Sequence, residues 1–120
     1  MVQVKVLLKE IEEIDIKINN LEDEIEKFEF EINNLEDEIK KFKDEIKIFE
    51  SRINEIAFKD PVSLVDGYRK LGYSELIEKN SIIIEKNEKM ILQNKIMILQ
   101  NKILIELYSQ KIEIIKEKVK

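Results

Sequence analysis

Residues 4–56 read VKVLLKEIEEIDIKINNLEDEIEKFEFEINNLEDEIKKFKDEIKIFESRINEI, and this segment decides the fold. Apolar residues recur through it at alternating intervals of three and four, with Val or Ile at heptad position a and Leu, Ile or Phe at position d. The pattern is typical of a coiled-coil helix, which buries its apolar stripe against another helix. The segment therefore predicts one amphipathic helix over about residues 3–59.

A second heptad array comes later in the chain, with Ile or Val at position a in every seventh residue from Ile77 to Val119. It predicts a second helix over about residues 74–118. Its position d is polar in four successive heptads. These polar residues are Asn80, Asn87, Asn94 and Asn101. Because an unpaired buried amide costs about 1–3 kcal/mol, we expect these side chains either at a wet edge or bonded to one another across a second copy.

The connector, about residues 60–73, is predicted to hold a short helix between two bends. Asp60 is a good N-cap and Pro61 suits a first helical turn. Gly72 is a predicted helix stop, and Ser74 is a predicted N-cap of the second helix. The predicted fold is thus all-α: one domain over residues 1–120, a long antiparallel coiled-coil hairpin with a short helical tip.

Charges beside the seam favour an antiparallel pairing within the chain. In a parallel self-pairing of the first helix, four of the six charged pairs beside the seam repel. An antiparallel register exists in which opposite charges meet and large apolar residues share the core. It pairs Glu36 with Lys95, Glu29 with Lys102, Asp15 with Lys116 and Lys43 with Glu88, and it sets Phe49 on Ile84, Leu21 on Ile112 and Ile46 on Asn87. Such exposed pairs contribute only about 0.2–1 kcal/mol each, so they select the register and do not hold the fold together.

The Ile and Asn layers of the second array also resemble the Asn layers of trimeric coiled-coil stalks in surface adhesins. The resemblance covers about four heptads, and it implies a parallel trimer in which Asn side chains surround an anion. The chain departs from that pattern by carrying Lys95 and Lys102 where a small polar residue usually comes after the Asn. A parallel trimeric stalk is therefore an alternative interpretation of these heptads.

Composition excludes several kinds of chemistry. The 120 residues contain no Cys and no His, so thiol nucleophiles, disulfides, Cys or His zinc sites and imidazole catalysis are excluded. Two isolated Gly cannot form a phosphate-binding loop, and a two-helix rod offers no cleft. We therefore predict no enzyme activity, no cofactor and no metal site. A net charge of −5 argues against nucleic acid, and the lack of a long apolar run predicts a cytoplasmic protein.

A broad apolar band on the second helix predicts an oligomer. Between Met90 and Leu107 that helix is apolar around most of its circumference, so we expect it to be covered from more than one side. The predicted interface consists of Met90, Leu92, Ile96, Met97, Leu99, Ile103 and Leu104. A second copy is the expected occupant, most simply in a dimeric four-helix bundle, with a trimer or another helical protein as alternatives. A membrane is disfavoured because the band lacks a strongly basic polar face.

The tip supplies a second group of candidate contact residues. A basic and aromatic cluster there could touch a partner protein or an anionic ligand: Tyr68, Arg69, Lys70 and Tyr73. The simpler expectation is that Tyr68 and Leu71 cap the hairpin core while Arg69 and Lys70 point into water.

These features predict a structural protein, a coiled-coil spacer, scaffold or adaptor that acts through helix–helix association. Helical hairpins of this size also resemble prefoldin subunits, which implies a chaperone-like or clamp function. The short connector, however, has no room for the β-hairpins that assemble prefoldin. The resemblance therefore extends to shape only.

Overall fold

The computed structural model describes the backbone of residues 2–58 and 64–120 and the side chains of residues 3–56 and 66–120. Two helices account for nearly all of it: α1 spans Val2–Phe58 and α2 spans Leu64–Val119. The predicted all-α helical hairpin is confirmed. The predicted caps Asp60 and Pro61 lie outside the described residues.

The second helix begins ten residues earlier than predicted. It continues through Gly67 and Gly72 without interruption, so the predicted stop at Gly72 and the predicted cap at Ser74 are wrong. Gly inside a helix costs up to about 1 kcal/mol relative to Ala. Packing offsets this cost, because the ring of Tyr73 stacks on Phe49 of α1 with centroids 5.8 Å apart. Local propensity marks a stop where tertiary contact extends the helix.

The chain forms two compact units, and each contains a segment of both helices. The first unit consists of residues 1–32 and 93–120. Its hydrophobic core is centred on Ile14, which is 3% exposed, together with Ile112 and Ile115. Partly buried residues packed against this core are Leu7, Ile11, Ile18, Tyr108 and Val119. Position a of one helix thus meets position d of the other, as expected for a coiled-coil seam.

The second unit consists of residues 33–92. Its buried apolar residues are Leu35, Ile39, Ile84 and Ile91. All four are a or d residues of the two heptad arrays, so the seam identified in the sequence is the buried face here as well. The helices run antiparallel, since the partner in α1 moves from Glu45 to Glu38 as α2 advances from Asn80 to Asn87.

The predicted register is wrong by one heptad in both units. In the first unit Ile112 packs with Ile14, where the charge pairing places it on Leu21. In the second unit the amide of Asn87 bonds to Glu38, which precedes Ile39, where the charge pairing places Asn87 on Ile46. All four predicted ion pairs belong to the rejected register, namely those of Asp15, Glu29, Glu36 and Lys43.

The neighbours of the Asn residues differ between the two registers. In the observed register the Asn residues of α2 lie beside a run of Glu residues at position g of α1. These residues are Glu24, Glu31, Glu38 and Glu45. In the predicted register Arg52 replaces one Glu beside Asn80. The observed register thus places a Glu residue beside each of the four Asn residues, where the predicted register places one beside three of them.

Candidate interaction surface on the second helix

The inner face of α2 pairs its Asn side chains with carboxylates of α1. Asn80 Nδ2 donates to Glu45 Oε2 at 3.1 Å, and Asn87 Nδ2 donates to Glu38 Oε2 at 3.3 Å, both in the second unit. In the first unit Asn101 Nδ2 donates to Glu24 Oε2 at 3.1 Å. From one pair to the next, each step of seven residues forward along α2 is matched by a step of seven residues back along α1. A single antiparallel register therefore accounts for all three hydrogen bonds.

These hydrogen bonds resolve where the Asn layers lie. The three paired Asn residues are buried, with exposed fractions of 4–7%. Their partners are charged, and hydrogen bonds to charged groups contribute about 1.5–3 kcal/mol, more than neutral ones. These three amides therefore do not lie at a solvent-exposed edge, and they do not need a second copy to supply their hydrogen-bond partners. Nor do they form the anion-binding layers of a parallel trimer, because each bonds to a carboxylate of its own chain.

Asn94 is the exception within this row. Its register partner is Glu31, but among the described residues its Nδ2 atom is buried without a hydrogen-bond partner. Asn94 itself is half-buried and Glu31 is exposed. The row thus contains three satisfied layers and one that is not.

Aromatic residues at position d flank the Asn row on α2. Beyond Asn101, in the first unit, Lys17 Nζ lies 5.7 Å from the ring centroid of Tyr108, a cation–π contact. Lys17 occupies heptad position g, as the Glu residues do, and its contact with Tyr108 follows the same antiparallel register. Exposed cation–π contacts contribute about 0.5–1 kcal/mol. The first unit therefore continues the same register to its aromatic layer.

The outer face of α2 carries large apolar residues that α1 does not cover. In the second unit Leu92 is 60% exposed and Met90 is half-buried. The first unit exposes Ile96, Met97, Leu99, Ile103, Leu104 and Leu107, each by 40–59%. All of the predicted interface residues except Met90 are thus exposed in the single chain.

The spacing of these residues defines a second seam. Leu92, Ile96, Leu99 and Ile103 succeed one another at intervals of four, three and four, the repeat of a coiled-coil stripe. They occupy heptad positions b and f, which lie on the opposite side of the helix from a and d. We call these four residues the outer seam. The helix α2 therefore has an inner face of Ile and Asn residues, which α1 covers, and an outer apolar stripe, which α1 does not cover.

The first helix shows no comparable stripe among its described residues. Its exposed apolar residues are Val6, Leu8, Ile16, Phe30 and Ile48. Phe30, the most exposed of them, is fourteen residues from Ile16 and eighteen from Ile48. Scattered apolar side chains of this kind are normal on a protein surface, whereas a contiguous row indicates an interaction site.

The tip residues do not cap the core as expected. Tyr68 and Leu71 are 68% and 57% exposed, so the expectation that they close the hairpin is wrong. The physical reason is helical phase. With α2 continuous from Leu64, Tyr73 faces α1 and stacks on Phe49, and Lys70 is half-buried.

A small pocket of about 120 Å³ lies in this part of the second unit. Its lining residues are Arg52, Glu55, Ile56, Asp66, Arg69 and Tyr73. Two guanidinium groups and two carboxylates share it, so its charges largely balance. Such a pocket has no marked preference for an anion. The structure brings Arg69 and Tyr73 together here, and it places Tyr68 in the open.

Acidic side chains are distributed along both helices. Within residues 2–58 and 64–120, no group of three or more His, Cys, Asp or Glu side chains could hold a metal ion. In the same ranges, neither helix has a stretch long and apolar enough to cross a membrane.

Comparison with protein-family profiles, with curated proteins and with solved structures finds no match to this chain. Sequence reasoning missed the Glu row of α1 as the partner of the Asn row. The signal was available, since both rows repeat every seven residues over four heptads.

Proposed function

We propose that this protein is a non-enzymatic helix–helix interaction module, a scaffold or adaptor that assembles through the outer seam of α2. The single observation that carries the proposal is a second apolar stripe at coiled-coil spacing on a helix whose first stripe is already buried. The simplest assembly is a dimer of hairpins that contains four helices.

Burial energetics support this proposal. A fully buried Leu or Ile side chain stabilises a folded or assembled state by about 1.5–3 kcal/mol relative to its exposed form. Four such side chains in a row on each copy provide a driving force for association that scattered residues cannot. The row also lies on a helix already held by α1, so little further backbone ordering opposes binding.

The proposal is tested by light scattering on the native protein and on Leu99→Glu. The native chain is expected to show the mass of two chains, and Leu99→Glu the 14.4 kDa of one, because the substitution removes a large apolar side chain from the centre of the seam and places a charged group there. Circular dichroism should show equal helicity for both. Phe30→Glu, on the exposed face of α1, is the matched control and should leave the mass unchanged.

Two results would count against the proposal. One is a native protein that has the mass of a single chain at every concentration up to the millimolar range. The other is an assembly that survives Leu99→Glu and dissociates with Phe30→Glu, which would place the interface on α1.

A further inference from the structure

We propose that the occupant of the outer seam is the same seam of a second copy, arranged antiparallel about a two-fold axis that crosses α2 between Met97 and Ile98. This inference rests on the proposed function and specifies its partner, orientation and register. An isologous interface of this kind places each residue opposite a fixed counterpart in the other copy.

Apolar complementarity selects the central layers. In this register Ile96 lies on Leu99 of the partner copy, and Leu92 lies on Ile103 of the partner copy. The two-fold axis repeats both layers, so all four residues of the outer seam are buried on both copies. Each is now 47–60% exposed.

Charge complementarity closes the two ends of the seam. The next residues along it are Lys89 and Glu106, and the antiparallel arrangement sets each on the other across the interface. A parallel arrangement would set Lys89 on Lys89 and Glu106 on Glu106. In the single chain Lys89 Nζ lies 3.7 Å from Glu85 Oε1, and both side chains are about 70% exposed. An exposed pair of this kind is weak, so Lys89 is available to a partner carboxylate.

Neighbouring antiparallel registers fail on the same criteria. A shift of one heptad in one direction sets Ile96 on Glu106, and the opposite shift sets Lys89 on Leu99. Either change buries a charged group against an aliphatic one, which is costly without a partner. The proposed register alone among these three keeps apolar residues on apolar residues and charge on opposite charge.

The flanks of the seam are polar. On one side Gln93 meets Gln100 of the partner copy, and amides can bond to one another. On the other side Lys95 meets Lys102 of the partner copy. These lysines are exposed, so water and salt screen their repulsion. Lys95→Glu is therefore expected to tighten the dimer severalfold, since it converts two repulsive contacts into attractive ones.

A charge-swap experiment tests the inference. Lys89→Glu, Glu106→Lys and the double variant are compared with the native chain by sedimentation equilibrium over a range of concentrations. Each single substitution creates two like-charge contacts and should raise the dimer Kd about tenfold. The double variant should return the Kd to within about threefold of the native value. Its loss of the Glu85 contact is shared with Lys89→Glu, so this loss cannot cause the rescue.

Opposite outcomes overturn the inference without touching the proposed function. In a parallel dimer, Lys89→Glu replaces a repulsive Lys–Lys contact by a repulsive Glu–Glu contact, so the dimer Kd should stay nearly unchanged. A double variant weaker than either single variant would also exclude the antiparallel register. In both cases Leu99→Glu would still dissociate the assembly, whereas failure of the proposed function appears as a mass unaffected by Leu99→Glu.

Discussion

The inner and outer faces of α2 differ in how completely the chain satisfies them. On the inner face, Ile layers are buried and three Asn amides bond to carboxylates of α1. On the outer face, Leu92, Ile96, Leu99 and Ile103 remain 47–60% exposed. The difference distinguishes two faces of one helix: the inner face packs on α1, and the outer face is the one through which we propose that the chain associates.

Loss of an inner core residue should have the largest effect on stability. Ile14→Ala removes three carbons from a site that is 3% exposed and leaves a cavity beside Ile112 and Ile115. We expect the free energy of unfolding to fall by about 3 kcal/mol in urea titrations. Leu99→Ala is the matched outer-face control. At concentrations where the chain is monomeric it should cost less than about 0.5 kcal/mol, and equal losses would contradict the distinction between the faces.

Removal of an inner carboxylate should have the next largest effect. Glu38→Ala leaves the buried amide of Asn87 without its acceptor and should cost about 1–2 kcal/mol in the same titration. Glu31→Ala is the control, since the Nδ2 atom of its register partner Asn94 already lacks a bond among the described residues. It should change stability by less than about 0.5 kcal/mol. A larger loss for Glu31→Ala would disprove the pairing of the two rows.

Replacement of the unsatisfied amide should stabilise the hairpin. Asn94→Leu removes a buried donor without a partner, as judged over the described residues, and adds apolar contact, so it should raise the free energy of unfolding by about 1 kcal/mol. Asn87→Leu gains the same apolar contact but loses a hydrogen bond to a carboxylate. It should therefore gain less, and the reverse ranking would contradict the observed register.

A smaller gain is expected where α2 passes through Gly72. Among the described residues, and apart from its chain neighbours and the backbone of its own helix, a Cβ atom added there would meet no atom within 4 Å, so Gly72→Ala should stabilise by about 0.5–1 kcal/mol through helix propensity. The predicted helix stop would give the opposite sign, because Ala resists the left-handed conformation of a helix C-cap. Thermal unfolding distinguishes the two, and Gly67→Ala, equally open, should behave alike.

The sequence is sufficient to predict the helices and the residues that face each other. The heptad a and d positions supply the buried residues of both units, because that periodicity places them on one face of each helix. The apolar band predicted as an interface is equally readable, and the structure leaves it exposed. These features depend only on spacing along one helix.

Register and helix start could not be predicted because they depend on contacts between helices. A register predicted from ion pairs at the edge of the seam takes no account of the hydrogen bonds from Asn87 to Glu38 and from Asn80 to Glu45. These hydrogen bonds are stronger than exposed ion pairs. Similarly, the helix propensity of Gly72 takes no account of the stacking of Tyr73 on Phe49.

The central claim, that two outer seams pair antiparallel, is tested most directly by distances between spin labels in the assembled protein. Because the chain has no Cys, a single label can be attached through Ser109→Cys or Ser81→Cys, both at exposed positions. With the axis between Met97 and Ile98, the two labels of a dimer should be roughly 35 Å apart for Ser109→Cys and roughly 50 Å apart for Ser81→Cys. Equal short distances below roughly 20 Å at both positions would indicate a parallel dimer and contradict the account, as would the absence of any dipolar coupling.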